Sequence, residues 1–217
     1  MNQRILILGA AGQIARKLTD ALLAQTDAEL VLYSRNAAQR LGALESSRVS
    51  IHEGTFQDRE NLVAAMQGVD AVYLNAMERA DDVQNIVDAM QQAGVKRLIG
   101  ASMAGIEHEV PQALSEWTVA NLPESYVKGE HQSAAIVKAS DLDYTLLRLT
   151  WLYDDAAQSQ NYELVPSGEP FADAEVSREA VVQAIIQILS DKQPEKYLRA
   201  TFGVGQPNTH YSKPSFY

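Results

Sequence analysis

At 217 residues, 46% of them apolar and 21% charged, the chain carries enough material for a substantial core. The formal net charge of −10 is spread along its length, a field that repels nucleic acid and anionic lipid, so neither is expected as a partner. The absence of cysteine excludes disulfides, thiolate catalysis and zinc–thiolate sites.

The N-terminus, MNQRILILG, enters a strand-like run at once, without the longer apolar region and cleavage site of a signal peptide. No stretch approaches the roughly 18 unbroken apolar residues of a membrane helix. A cytoplasmic location is expected.

Residues 4–9 (RILILG) are the first predicted strand. The segment Gly9-Ala10-Ala11-Gly12-Gln13-Ile14-Ala15 follows, in the form GxxGxxA. The first glycine suits a tight strand-to-helix turn, and the second lets backbone approach a pyrophosphate at a helix N-terminus. Ala15 keeps helix and strand close. Gly9, Ala11, Gly12, Gln13 and Ile14 are therefore candidate dinucleotide contacts. A helix is predicted over 13–24, where Ile14, Leu18, Ala21 and Leu22 share a face. No Lys-Ser or Lys-Thr follows the second glycine, which argues against a Walker-type loop.

The second strand, ELVLYS (29–34), ends without the Asp or Glu that would bind a ribose 2′-hydroxyl. Ser34 and Arg35 stand there instead, and a hydroxyl with a guanidinium suits a 2′-phosphate. NADP(H) is the expected cofactor, with NAD(H) as the alternative. After the third strand, VSIHEG (49–54), Thr55 and Phe56 are expected beside the adenine. Asp58 is read as the N-cap of a helix to residue 67 rather than as a ligand. The fourth strand, DAVYLNA (70–76), delivers Asn75, Ala76 and Met77 towards the middle of the cofactor.

Helices are predicted over 80–93, 124–139 and 177–190, and further strands at KRLIGAS (96–102) and DYTLLRLT (143–150). Asp81-Asp82 and Asp154-Asp155 are read as solvated loop or first-turn acids. Alternation of apolar strands with helices predicts an α/β fold, a doubly wound parallel sheet of the Rossmann type with only a small C-terminal substrate lobe. The expected organisation is one NAD(P)-binding domain over 1–217, with 103–123, 151–175 and 191–217 as cleft or lobe segments, the first two of them irregular. The four histidines are far apart in sequence, and no metal site is expected. The final GQPNTHYSKPSFY is either a disordered tail or a segment that docks Tyr211, Phe216 and Tyr217 on the domain or on another subunit.

The GxxGxxA loop, the arginine after strand two, SDLDYTLLRLTWLY (140–153) and SREAVVQAIIQIL (177–189) resemble the atypical short-chain dehydrogenase/reductases, in particular their NmrA-like, NAD(P)H-binding branch. The resemblance covers nearly the whole chain. It implies NAD(P)H binding and hydride transfer to a small carbonyl, quinone or flavin acceptor, by a monomer or homodimer. In the wider superfamily a serine orients the substrate oxygen, and a tyrosine in YxxxK transfers a proton with the lysine lowering its pKa. By that resemblance Ser102 and Tyr126 are the catalytic candidates, and Thr150 and Trp151 candidates for the nicotinamide wall; Trp151 is equally readable as a core aromatic. Here the motif departs, with Glu130 where lysine is expected. A carboxylate one turn from a phenol raises the tyrosine pKa, and Lys128 points to another face of the helix. Two alternatives stay open on this ground: a non-catalytic sensor of NADP(H), or an NAD(P)-dependent epimerase or dehydratase.

Overall fold

A computed structural model describes residues 3–154 and 160–217. Asp155, read above as a solvated acid, lies outside them. Eight strands form the main sheet: β1 (Arg4–Leu8), β2 (Glu29–Ser34), β3 (Val49–Glu53), β4 (Ala71–Leu74), β5 (Arg97–Met103), β6 (Asp143–Leu149), β8 (Glu163–Pro166) and β10 (Ala200–Gly205). Their order is β3-β2-β1-β4-β5-β6-β10-β8, with every pairing parallel except that of β8 with β10. A second, two-stranded sheet joins β7 (Trp151–Tyr153) to β9 (Glu175–Ser177) in parallel.

The sheet is apolar on both faces, as parallel sheets must be when helices cover both sides. On one face α1 (Gln13–Gln25) and α7 (Arg178–Ser190) pack on Ile5, Ile7, Leu30, Leu32, Leu147 and Val204. On the other, α3 (Arg59–Ala65), α4 (Ala80–Ala93) and α6 (Glu124–Ala139) pack on Leu6, Leu8, Val31, Val72, Leu98 and Leu146. Two short helices, α2 (Ala37–Leu41) and α5 (Gln112–Asn121), complete the set. Strand order reverses between β1 and β4, which places a crevice at the carboxyl ends of those strands. Among the described residues no helix is long and apolar enough to cross a membrane.

Three expectations need correction. Residues 112–121, read as irregular, are helical. That helix buries only Leu114 and leaves Val119 exposed at a cavity, so it lacks the apolar stripe that periodicity detects. The 191–217 segment contains β10, a sheet strand beside β6. Its sequence, ATFGVG, is glycine-rich, and Gly is depleted from strands. The glycines are there because Phe171 and Asp173 lie over the strand: a Cβ on Gly203 would sit 2.7 Å from the Phe171 ring, and one on Gly205 would overlap Asp173. Finally, Asp82 is buried, not solvated. It accepts a hydrogen bond from Gln57 and pairs with Arg79 at 3.1 Å.

Candidate active site

The glycine loop is built by two constraints. Gly9 has φ +76°, a left-handed conformation that costs glycine nothing, and its amide and that of Ala10 donate to the Tyr33 carbonyl at 3.0 and 3.1 Å. A Cβ on Gly12 would overlap Nδ2 of Asn75, so the end of β4 and the start of α1 meet only because Gly12 has no side chain. Asn75 Oδ1 accepts from the Ala15 amide at 3.1 Å and locks the two together. Gly12 is the N-cap of α1 and offers no side-chain cap, so the first-turn amides at Gln13 and Ile14 are left for an outside anion. Gln13 is exposed, whereas Ala11 and Ile14 are buried.

Around this loop the acidic protein gathers arginines. Arg16 Nε and Arg40 Nη2 both donate to the Ala11 carbonyl, at 3.1 and 3.4 Å. Arg35 is exposed, and its guanidinium has no partner among the described residues. Ser34 is buried, with its hydroxyl donating weakly to the Arg35 carbonyl at 3.3 Å. Arg16 and Arg40 escaped the sequence reading. The signal available was their spacing: Arg16 lies on the first turn after Gly12, and Arg40 five residues beyond Arg35.

On the opposite rim, Phe56 stacks on Tyr33 with ring centroids 6.3 Å apart and reaches over Gly9, while Thr55 is exposed and its carbonyl accepts from Tyr33 Oη at 2.9 Å. Asp58 caps α3 by accepting from the Asn61 amide at 3.0 Å, as expected. Ala76 is exposed on the crevice. Met77, expected beside it, turns its side chain away into the core, against Gly100 and Leu146. These glycines, uncapped amides and arginines suit a dinucleotide carrying an additional phosphate.

The crevice opens into a cavity of about 460 Å³. Ile14, Asn75 and Ala76 line it from the loop side, and Ser102, Tyr126 and Glu130 from β5 and α6. Ser102 Oγ donates to Glu130 Oε2 at 2.8 Å, with both residues buried. Helix α6 comes this close because Gly129 makes room: a Cβ there would overlap the Glu78 carbonyl. Burial pushes the Glu130 carboxyl up to about 7, reinforced by the charge of Glu78 and opposed by hydrogen bonds from Ser102, the Met77 amide and Tyr126. Burial, then the charges of Glu130 and Glu78 and the hydrogen bond to Glu130, push the Tyr126 phenol far above its ordinary value. This is the direction the Glu130 substitution implied. Lys128 is exposed, two residues from Tyr126 on another face.

Thr150 is buried and donates to the Val204 carbonyl at 3.2 Å. Trp151 donates through its indole N–H to Thr118 Oγ1 at 3.0 Å and meets Trp117 edge-on at 4.6 Å. Tyr217 packs on both tryptophans, at 5.0 and 5.3 Å, so the C-terminal segment docks on the chain. The Ser215 amide and hydroxyl tie that segment to Glu175, at 2.6 and 2.9 Å. The sequence separated the histidines, yet the fold brings His108 and His131 within 6.0 Å in this cavity. Among the described residues no group of three or more His, Asp or Glu is arranged to hold a metal.

A family model described as NAD(P)H-binding matches residues 9–192. Among solved structures, a short-chain dehydrogenase/reductase of Veillonella parvula in complex with NADP is 47% identical, with a TM-score of 0.96 and 100% of each chain covered. A Rossmann-fold NAD(P)-binding family protein of Shigella flexneri is 31% identical with a TM-score of 0.78, again over 100% of each chain. Among curated proteins, quinone oxidoreductase 2 of Escherichia coli is 27% identical over 73% of this chain and 50% of its own. The chain spans half the length or less of the curated relatives it matches. With residues 9–192 matched and a solved relative 47% identical from end to end, the chain belongs to the NAD(P)H-binding family, among the short-chain dehydrogenase/reductases.

Proposed function

We propose that the protein is an NADPH-dependent reductase of small planar acceptors, quinones first, with conjugated carbonyls and flavins as the neighbouring classes. The observation that carries this reading is the cavity running from the glycine-loop crevice to the Ser102–Tyr126–Glu130 cluster, walled by Trp151 and Tyr217, both of which Trp117 backs. Bound NADPH supplies hydride; the protein's residues bind, orient and manage the proton. Gly9, Gly12 and the amides at Gln13 and Ile14 receive the pyrophosphate, while Arg35 with Ser34, supported by Arg16 and Arg40, receives the 2′-phosphate. Thr55 and Phe56 flank the adenine, and Asn75, Ala76, Thr150 and Trp151 border the nicotinamide end. Met77 contributes only backbone.

The aromatic wall offers large, rigid faces for a flat ring system and excludes water from it. Quinone reduction asks little of a protein acid, which suits a site where Tyr126 holds its proton tightly. The NADP-bound Veillonella structure and the quinone oxidoreductase relative support the same reading. The protein would work in the cytoplasm on a small molecule, as a monomer or homodimer. In this reading it is one NAD(P)-binding domain whose segments 103–123, 151–175 and 191–217 shape the cleft.

The test is NADPH consumption with a panel of quinones, flavins and aromatic aldehydes, alongside titration of both cofactors. Arg35→Ala should weaken NADPH binding by about tenfold while leaving NADH unchanged; equal affinities would overturn the cofactor preference. The substitution of the YxxxK lysine by Glu130 favours a second reading, a non-catalytic NADP(H) sensor. Tight cofactor binding without turnover of any acceptor would support that instead.

A further inference from the structure

We propose that Glu130 is the proton source for the reduction, passing its proton to a substrate oxygen through the hydroxyl of Ser102. The inference rests on the reductase reading and adds to it a relay that does not use the tyrosine as proton donor.

Glu130 sits in the cavity wall, only 2% exposed, with its Oε2 at 2.8 Å from Ser102 Oγ. Ser102 lies in the same wall, so its hydroxyl can serve the carboxyl on one side and a ligand on the other. The groups facing Glu130 are Ser102 from β5, the Met77 amide and Glu78 from the segment after β4, and Tyr126 one turn earlier on α6. The next residue, His131, lines the cavity with His108. No cation pairs with Glu130 among the described residues, and the charge that acts on it is another acid, Glu78. A buried carboxyl in that setting readily holds a proton, and burial brings it to about 7.

The two protonation states orient the hydroxyls differently. With Glu130 ionised, Ser102 and Tyr126 both donate to it, and neither hydrogen is free for a ligand. With Glu130 protonated, its O–H donates to Ser102 Oγ, and the serine hydrogen turns into the cavity. Reduction then balances as follows. The hydride reaches the substrate and NADPH is oxidised to NADP⁺. The substrate oxygen gains the hydrogen of Ser102, Ser102 regains one from Glu130, and Glu130 is left as carboxylate. After product leaves, water reprotonates it. Tyr126, its phenol held neutral, orients the carboxyl and remains protonated throughout.

Two measurements on the full chain test this. In pH-resolved infrared difference spectra of the NADP⁺-loaded protein, a protonated-carboxyl band should disappear on passing through neutral pH. It should be absent in Glu130→Gln and shifted in Ser102→Ala. In steady-state assays wild-type kcat for 4-nitrobenzaldehyde should fall as pH rises through neutrality, and kcat for 1,4-naphthoquinone, which asks less of a protein acid, should fall less. Glu130→Gln should lower kcat for the aldehyde about a hundredfold at unchanged KM and abolish that pH limb. Glu130→Asp should keep the limb at a reduced rate. A Glu130→Gln enzyme with wild-type kcat and pH profile, or the absence of a Glu130 carboxyl band near neutrality, overturns the proposal. If the wild-type protein binds NADPH but reduces neither acceptor, the reductase reading and delivery to substrate both fall. The infrared bands then decide separately whether Glu130 shares its proton with Ser102.

Discussion

Glu107 and Glu130 are both largely withdrawn from water, yet their carboxyls move in opposite directions. For each, burial is the largest influence and pushes the pKa up. Around Glu107, which follows β5, the push is overcome. Lys138 Nζ lies at 2.5 Å, Ser167 and Thr201 hydroxyls donate at 2.7 and 2.8 Å, and Arg148 Nη1 stands at 3.5 Å. Together they hold Glu107 down at about 2. Glu130 has hydroxyls and an amide but, among the described residues, no cation, and rises to about 7. Burial alone therefore does not decide what a carboxyl does; the sign of the neighbouring charge does. The first is a structural anion beneath the edge of the sheet. The second is pushed towards its protonated form beside the cavity.

The comparison can be broken most severely at Arg148, whose side chain is fully buried and also pairs with Glu109 at 2.7 Å. Arg148→Ala takes from Glu109 its cation and leaves Glu107 with Lys138, and should cost about 3–5 kcal/mol. Denaturant unfolding at neutral pH measures this, and a loss below about 1 kcal/mol would show that the cluster does not depend on its arginine.

Next in size is the pH dependence at Glu130. Its folded pKa lies above the ordinary 4.5, so its contribution to stability is complete below that value and is lost as pH rises through about 7. Glu130→Gln removes the titration. Between about pH 4.5 and 8 the wild type should lose about 2–3 kcal/mol relative to this variant. Parallel stability curves would contradict a protonated Glu130.

The smallest effect tests the other partner. Glu107 has a depressed pKa, so its contribution is present above about 4.5 and lost as pH falls towards 2. Lys138→Met removes its closest cation, a lysine 37% exposed and therefore partly screened, and should cost about 1 kcal/mol at pH 7. It should also move the acid limb of the stability curve to higher pH. An unmoved acid limb would assign the depression to Ser167, Thr201 and Arg148.

Much of the cofactor crevice was legible in the sequence because its requirements are local. Gly9 and Gly12, the start of α1, the ends of β2 and β4 and the cap at Asp58 all follow from spacing and turn chemistry. The Tyr126–Glu130 spacing was legible too, with the direction of its effect on the phenol. Arg40 and Arg16 were not, since their spacing from Arg35 and Gly12 does not by itself say that two guanidiniums will converge on the Ala11 carbonyl. Helix α5 and strand β10 were missed because one faces a cavity and the other needs glycine beneath Phe171 and Asp173.

By itself the sequence determined the alternating α/β layout, the glycine loop and the loss of the expected lysine, because periodicity and short motifs are set by neighbouring residues. Only the tertiary structure decided that Ser102 and Glu130, 28 residues apart, share a hydrogen bond, and that Tyr217 closes against Trp117 and Trp151. It also decided that, among the described residues, one glutamate finds cations and the other finds none. Those outcomes depend on the burial and charge that surround a group in three dimensions, which distance along the chain does not encode.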